Sequence, residues 1–254
     1  MLIIEQRGTA LWLTLNRPEA FNALSEELLH SLQTALDTAP DMLPQKVRAV
    51  VIAGAGKAFC AGHDLKQMRA NPSAAYYAAL FKQCSRVMMS IQRLPVPVIA
   101  RVHGIATAAG CQLVAMCDLA VAASDARFAT SGVNMGLFCS TPAVPLSRNV
   151  PQKQAMEMLL TGGFISAAQA LERGLINHAV APAELDAKVQ ELIDSISEKP
   201  ARAIALGKKL FYRQQTMGTE AAYQLATHAM ADNMMDEAAL EGVSAFIEKR
   251  KPVW

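Results

Sequence analysis

Pro97 to Asp118 reads PVIARVHGIATAAGCQLVAMCD, an apolar run interrupted at His103-Gly104 and continued by small residues. Val96 to Val102 is rich in β-branched residues and closes on a glycine, the pattern of a buried strand and a turn. Thr107 to Cys117 has the Ala, Leu and Met content of a helix, with nothing bulky near its start. A helix whose first turn is Thr107, Ala108, Ala109 and Gly110 offers unpaired backbone N–H groups that a ligand can approach closely. Such an end suits a negatively charged oxygen. The same small residues equally suit close helix packing, and this stretch alone leaves both readings open.

Working outward, Leu2 to Glu5 and Ala10 to Leu15 read as a hairpin with Gly8 in the turn. After the loop Asn16-Arg17-Pro18, Ser25 caps a helix with apolar Leu28, Leu29, Leu32 and Leu36, ended by Pro40. Val47 to Ala53 reads as a strand feeding Gly54-Ala55-Gly56, and Lys57 to Asp64 as a second strand-to-turn passage. A helix from about Ser73 to Leu94 precedes the opening stretch; Asp118 to Ala123 and Arg127 to Ala129 read as strands after it. Alternation of this kind defines an α/β chain. From Pro142 the signals are helical apart from a strand at His178 to Val180, with Pro142 and Pro151 at first helical positions. Gly162-Gly163 ends one helix, and Ser166 caps another that stops at Gly174. Helices follow over 182–197, 200–215 and 219–250, the last bent near Asp232 to Asp236.

Across 254 residues, 52% are hydrophobic and 18% charged, and the mean hydropathy is +0.18. So little charge leaves apolar surface that oligomerisation would cover, above all from about Leu185 onward. A net charge of +2 carries no nucleic-acid footprint and no strong attraction to acidic membranes. Gly104 to Ala123 approaches bilayer length but contains Gln112 and Asp118, and reads as buried core rather than a membrane span. The five cysteines, Cys60, Cys84, Cys111, Cys117 and Cys139, form no CxxC pair, as expected for reduced thiols in the cytoplasm. The N-terminus has the pattern of neither a secretory signal nor a transit peptide, so the mature chain is expected to begin there. His30, His103, His178 and His228 have no metal-ligand spacing, so no metal is expected.

Lys57 to Met68 (KAFCAGHDLKQM) and His103 to Asp118 together resemble the crotonase superfamily, the enoyl-CoA hydratase/isomerase family. Asn16 to Ser25 (NRPEAFNALS), Met135 to Phe138 (MGLF), Ala155 to Gly163, Ser166 to Asn177 and Glu241 to Lys251 resemble it in the same order, over essentially the whole chain. AGHDLK, GIATAAGCQL, GVNMGLFCSTP and EKRKPVW are most similar to the branch called enoyl-CoA hydratase domain-containing proteins. The resemblance implies a ClpP/crotonase-like spiral of β-β-α units over 1–184. A helical oligomerisation region over 185–254 would form homotrimers, often paired into hexamers.

The resemblance also gives the site a shape. An acyl-CoA thioester would be substrate or ligand, with no tightly bound cofactor, its carbonyl between the N–H groups of His63 and Ala109. Where the family usually has glycine, Ala109 serves if its φ stays negative. The coenzyme would follow Ala20, Phe21 and Ala61, with Lys66 near a phosphate. Phe246 and Lys249 would reach the adenine end, from a neighbouring subunit. Lys249, Arg250 and Lys251 also read simply as a solvated helix end.

The two glutamates that hydratases of the family use fall on Gln112 and Gly132. Loss of an acid or base forfeits about 100- to 10,000-fold each, so efficient hydration by the usual route is not expected. Cys139, Ser140 and Thr141 are drawn toward the acyl pocket. Thr141-Pro142 reads as a helix cap, which would put Cys139 just before a helix start and favour its thiolate. The His63 imidazole and Cys139 thiol are therefore side-chain candidates, although inert packing is the commoner role for both residue types. Asp64 reads as a turn-fixing residue.

Overall fold

A computed structural model describes residues 1–39 and 47–254. Leu2–Arg7 (β1) and Ala10–Leu15 (β2) pair antiparallel across a two-residue Gly8-Thr9 turn, so the first strand runs two residues beyond the expected end. Ala49–Gly54 (β3), Val98–Val102 (β4), Leu119–Ala123 (β6) and His178–Val180 (β9) join β2 in parallel. The resulting six-stranded sheet has the order β1-β2-β3-β4-β6-β9. Ile105–Thr107 (β5), Arg127–Ala129 (β7) and Ile165–Ser166 (β8) form a smaller sheet.

The chain passes from the large sheet to the small one and back through a helix. β4 leads to β5 and Ala109–Met116 (α4), and β6 leads to β7 and Ser140–Asn149 (α5). That is the expected spiral of β-β-α units. The passage from Lys57 to Asp64 departs from it: instead of a strand it makes isolated bridges, Cys60 with Ala106 and His63 with Leu24.

Both faces of β2, β3, β4 and β6 are covered, which explains their continuous apolar runs, whereas β1 is an exposed edge strand. Leu11, Leu13, Leu15, Val50, Ile52 and Val98 face the main core with the helices Glu26–Thr38 (α1), Ala74–Arg93 (α3) and α4. Ala10, Trp12, Val51 and Ile99 face a second core closed by Leu185, Val189 and Ile193 of Leu185–Ser197 (α8). Ser25 caps α1 as expected, its Oγ accepting from Leu28 N at 3.2 Å, and Leu28, Leu29, Leu32 and Leu36 are buried. Pro40, expected to end α1, lies outside the described residues. Ser73 caps α3, and Ser166 forms a capping box with Gln169 at the start of Ala167–Glu172 (α7).

Two helix starts differ from expectation. Ile105 to Thr107 is strand, so the helix begins at Ala109 rather than Thr107. Helix α5 begins at Ser140, with Cys139 at the N-cap and Pro142 inside the first turn, so Thr141 is not the cap. Pro151 is likewise the N-cap of Gln152–Thr161 (α6) rather than its first residue. The tail beyond α8 is Ala201–Gln214 (α9), Thr219–Met234 (α10) and Glu237–Ile247 (α11), broken at Met235-Asp236 near the expected bend. One internal clamp ties α9 to the core. Lys208 Nζ donates to Asp118 Oδ2 at 2.6 Å and to the carbonyls of Ile91 and Val96 at 2.9 Å, and Tyr212 Oη donates to Asp118 Oδ1 at 2.7 Å.

Candidate active site

The polypeptide around Gly62 lies directly against the start of α4. A Cβ added to Gly62, whose φ is +94°, would meet Ala108 Cβ at 2.9 Å and Ala109 N at 3.3 Å. Only glycine lets the two backbones come this close. Ala109 is the first residue of α4, and no intrahelical carbonyl faces its N–H. Among the described residues neither the His63 nor the Ala109 N–H has an acceptor. The two neighbouring groups are held differently: Ala61 N donates to Phe21 O at 3.0 Å, and Ala108 N to Ala129 O at 2.9 Å.

Ala109 needs no glycine, being helical. The strain sits one residue earlier, at Ala108, with φ +50° and ψ −119°. A non-glycine residue held there costs of order 1–3 kcal/mol and persists only where its surroundings impose it. Here they consist of the 61–63 backbone on one side and Ala129 on the other.

His63 and Ala109 both line a cavity of about 230 Å³. Of the expected residues, Ala61, His63, Ala109, Gly132, Cys139, Ser140 and Thr141 line it. Leu65, Met68, Phe81, Ser131, Met135, Leu137 and Phe138 also line it; sequence reading did not single them out, although MGLF lay in a noted motif. Larger clefts of about 690 and 590 Å³ lie along α9, and neither His63 nor Ala109 lines them.

The His63 ring packs edge-on against Phe81, with centroids 5.4 Å apart, and neither ring nitrogen has a partner. Burial lowers its pKa to about 4, so the imidazole is neutral near pH 7. Its main chain is the part that offers a donor. Asp64 behaves as expected: Oδ1 accepts from Lys66 N at 3.1 Å and Gln67 N at 3.2 Å, capping Leu65–Ala70 (α2), and Oδ2 pairs with Arg17 at 2.9 Å. Buried Asn22 braces the same corner, donating from Nδ2 to Ala55 O at 2.8 Å and Ala58 O at 2.7 Å.

The expectation for Cys139 needs correction. Its thiol occupies the N-cap of α5, yet burial raises its pKa, outweighing the Gly132 N–H that donates to Sγ at 3.3 Å. Cys139 is a thiol, not a thiolate. A Cβ on Gly132 would meet Leu137 O at 2.4 Å and this sulfur at 2.9 Å, so any side chain at 132 collides with the 137–139 loop. Gln112 is 4% exposed, and its Oε1 has no donor. It lines an adjoining cavity of about 560 Å³ that meets the first at Thr141.

Ala20 and Phe21 end the short 3-10 helix Pro18–Ala20 beside Ala61, whereas Lys66 lies on α2 outside the cavity. Phe246 is 84% exposed on α11, and Lys249 follows that helix; neither reaches this cavity within the chain. Among the described residues no three His, Cys, Asp or Glu side chains group to hold a metal, and no helix is long and apolar enough to cross a membrane.

A family model described as enoyl-CoA hydratase/isomerase matches residues 5–254. The chain belongs to the enoyl-CoA hydratase/isomerase family. It is 46% identical over 242 residues to mouse enoyl-CoA hydratase domain-containing protein 3, mitochondrial, covering 95% of this chain and 80% of that protein. The crystal structure of an enoyl-CoA hydratase from Mycobacterium smegmatis superimposes with a TM-score of 0.97 at 60% identity, over 100% of this chain and 98% of that one. The human enoyl-CoA hydratase domain-containing protein 3 structure gives 0.94 at 44% identity, over 100% and 99%.

Proposed function

We propose that the protein binds an acyl-CoA thioester with its carbonyl oxygen between the N–H groups of His63 and Ala109, and that it acts through the enolate this pair stabilises. The observation carrying this reading is that His63 and Ala109, whose N–H groups have no acceptor among the described residues and whose backbones are brought together at Gly62, line one cavity. Each such donor is worth about 3 to 4 kcal/mol to a developing oxyanion where water is excluded. Ala20, Phe21 and Ala61 would run beside the pantetheine, and Lys66 would meet a phosphate. Phe246 and Lys249 would serve a neighbouring subunit of a homotrimer or a hexamer. Oligomerisation is supported by α10, which buries none of its residues within the chain, and by exposed Phe211 on the face of α9 turned toward it, with Tyr223, Met230, Phe246 and Ile247. Five free, buried cysteines support a reducing compartment such as the cytoplasm.

Hydration in its usual form needs an acid and a base beside the α and β carbons, and Gln112 and Gly132 supply neither. What remains near the acyl chain is Cys139 as a thiol, Ser140, Thr141 and the neutral His63. Slow hydration, isomerisation or another enolate-dependent reaction fits that set. A second reading, binding or sequestering of acyl-CoA without turnover, is favoured by the collision that keeps any acid from position 132.

Dissociation constants for several acyl-CoAs, measured beside turnover of crotonyl-CoA, separate the two. Submicromolar to micromolar binding with measurable but slow product formation is expected. Binding with no product of any kind supports sequestration, and absence of binding overturns both.

A further inference from the structure

Three cavities follow one another along α3, past Phe81, then Ser85 to Gln92, then Arg93. The thioester cavity and the second, of about 560 Å³, share Thr141; the second and a third, of about 690 Å³, share Met89, Gln92 and Tyr212. The middle cavity has an apolar wall of Met88, Met89, Met116 and Val144, in which flexible thioethers can follow a polymethylene chain. Beyond it the lining becomes cationic. Arg148 borders the second cavity, and Arg93, Lys209 and Arg213 border the third.

No aspartate or glutamate lines either cavity among the described residues. Arg202 on the same rim is paired with Asp236 at 2.8 Å, but these four cations have no ion-pair partner among the described residues. Gln112, buried and with its amide oxygen unpartnered, lines the middle cavity together with Thr141 and Arg148. A glutamate there would repel an anion passing at close range; the amide leaves the path uncharged.

We propose that the preferred substrate is an acyl-CoA whose long chain ends in a carboxylate, the chain passing Thr141 and Gln112 and its free end reaching Arg148, Arg93, Lys209 and Arg213. This rests on the thioester reading above and adds the class of acyl group. The terminal carboxylate pairs with guanidinium groups that have no acid of their own, and the methylenes cover the methionine wall. Charge complementarity of this kind governs which partner is accepted.

Calorimetric titration of the whole protein tests it with matched CoA thioesters: octanoic against octanedioic acid, hexadecanoic against hexadecanedioic acid, and butanoic acid as a short control. The longer dioic thioester is expected to bind at least about tenfold tighter than its methyl-ended match, a preference that shrinks as salt rises. The double variant Arg148→Met/Arg213→Met is expected to erase that preference and leave butyryl-CoA affinity unchanged. Equal or weaker binding of the dioic thioesters, with butyryl-CoA still bound, overturns the carboxylate end while the thioester site stands. If free hexadecanedioate binds as tightly as its thioester, the cations serve a separate anion and the inference fails. If no thioester binds, butyryl-CoA included, the underlying reading fails with it.

Discussion

The backbone N–H of Gly132 donates to Cys139 Sγ across 3.3 Å, and this contact closes the space in which a side chain at 132 would have to stand. The absent acid is therefore not a vacancy waiting for a carboxylate. Leu137 O and the sulfur already occupy it. Gly132→Glu is expected to leave crotonyl-CoA hydration at the wild-type level and to lower stability by about 1–3 kcal/mol through overpacking. Thermal unfolding and a hydration assay check this together. A gain in hydration with unchanged melting would mean that the 137–139 loop yields easily.

Cys139 itself should react as an ordinary buried thiol. Because burial holds its pKa above the usual thiol value, alkylation by iodoacetamide near neutral pH is expected to be slower than for an unfolded cysteine and to keep rising with pH. Peptide mapping by mass spectrometry gives the rate at this site. Fast labelling that levels off below the normal thiol range would restore the thiolate.

His63 ties stability to pH with a definite sign. Its pKa falls from 6.5 to about 4 on folding because the cation is desolvated, so the unfolded chain binds the extra proton. The stabilisation is complete above about pH 6.5 and is lost as the pH falls toward 4, by about 3 kcal/mol in all. Urea unfolding across that window is expected to show the slope in wild type and a reduced one in His63→Phe. Identical slopes would place the ring in water.

The two sides of the Gly62–Ala108 contact should respond oppositely to a methyl group. Gly62→Ala forces a Cβ to within 2.9 Å of Ala108 Cβ at a φ of +94°, and a loss of about 2 kcal/mol or more is expected. Ala108→Gly relieves a residue at φ +50° and is expected to be neutral or stabilising by up to about 1 kcal/mol. Melting temperatures of the two variants are the test, and equal losses in both would contradict the strain at Ala108.

Much of this was legible in the residues because the signals were local. Ser25 and Ser166 announced their helices through side-chain caps, and the apolar runs at Ala49, Val98 and Leu119 announced strands buried on both faces. Ile105 to Thr107 was hidden because three residues are too few for a period, and their strand partners at Arg127 to Ala129 come from farther along the chain. The same holds for Ala108, whose positive φ is imposed by Gly62 and Ala129 and leaves no mark in its own neighbourhood. Cys139 misled because the cost of desolvating a buried thiolate outweighs what the helix start and the Gly132 N–H offer it, and burial is a property of the packed loop. The Lys208–Asp118 clamp joins residues 90 positions apart and had no sequence signature.

The carbonyl stretching frequency of an isotopically labelled acyl-CoA reports directly whether the His63 and Ala109 N–H groups polarise a bound thioester. Bound to the wild-type protein, the band is expected to move to lower frequency than in free solution, and in Ala109→Pro, which removes one donor at a helix position that tolerates proline, to recover part of that shift. A bound thioester whose carbonyl band equals that of the free molecule, or whose shift is untouched by Ala109→Pro, would contradict the oxyanion site.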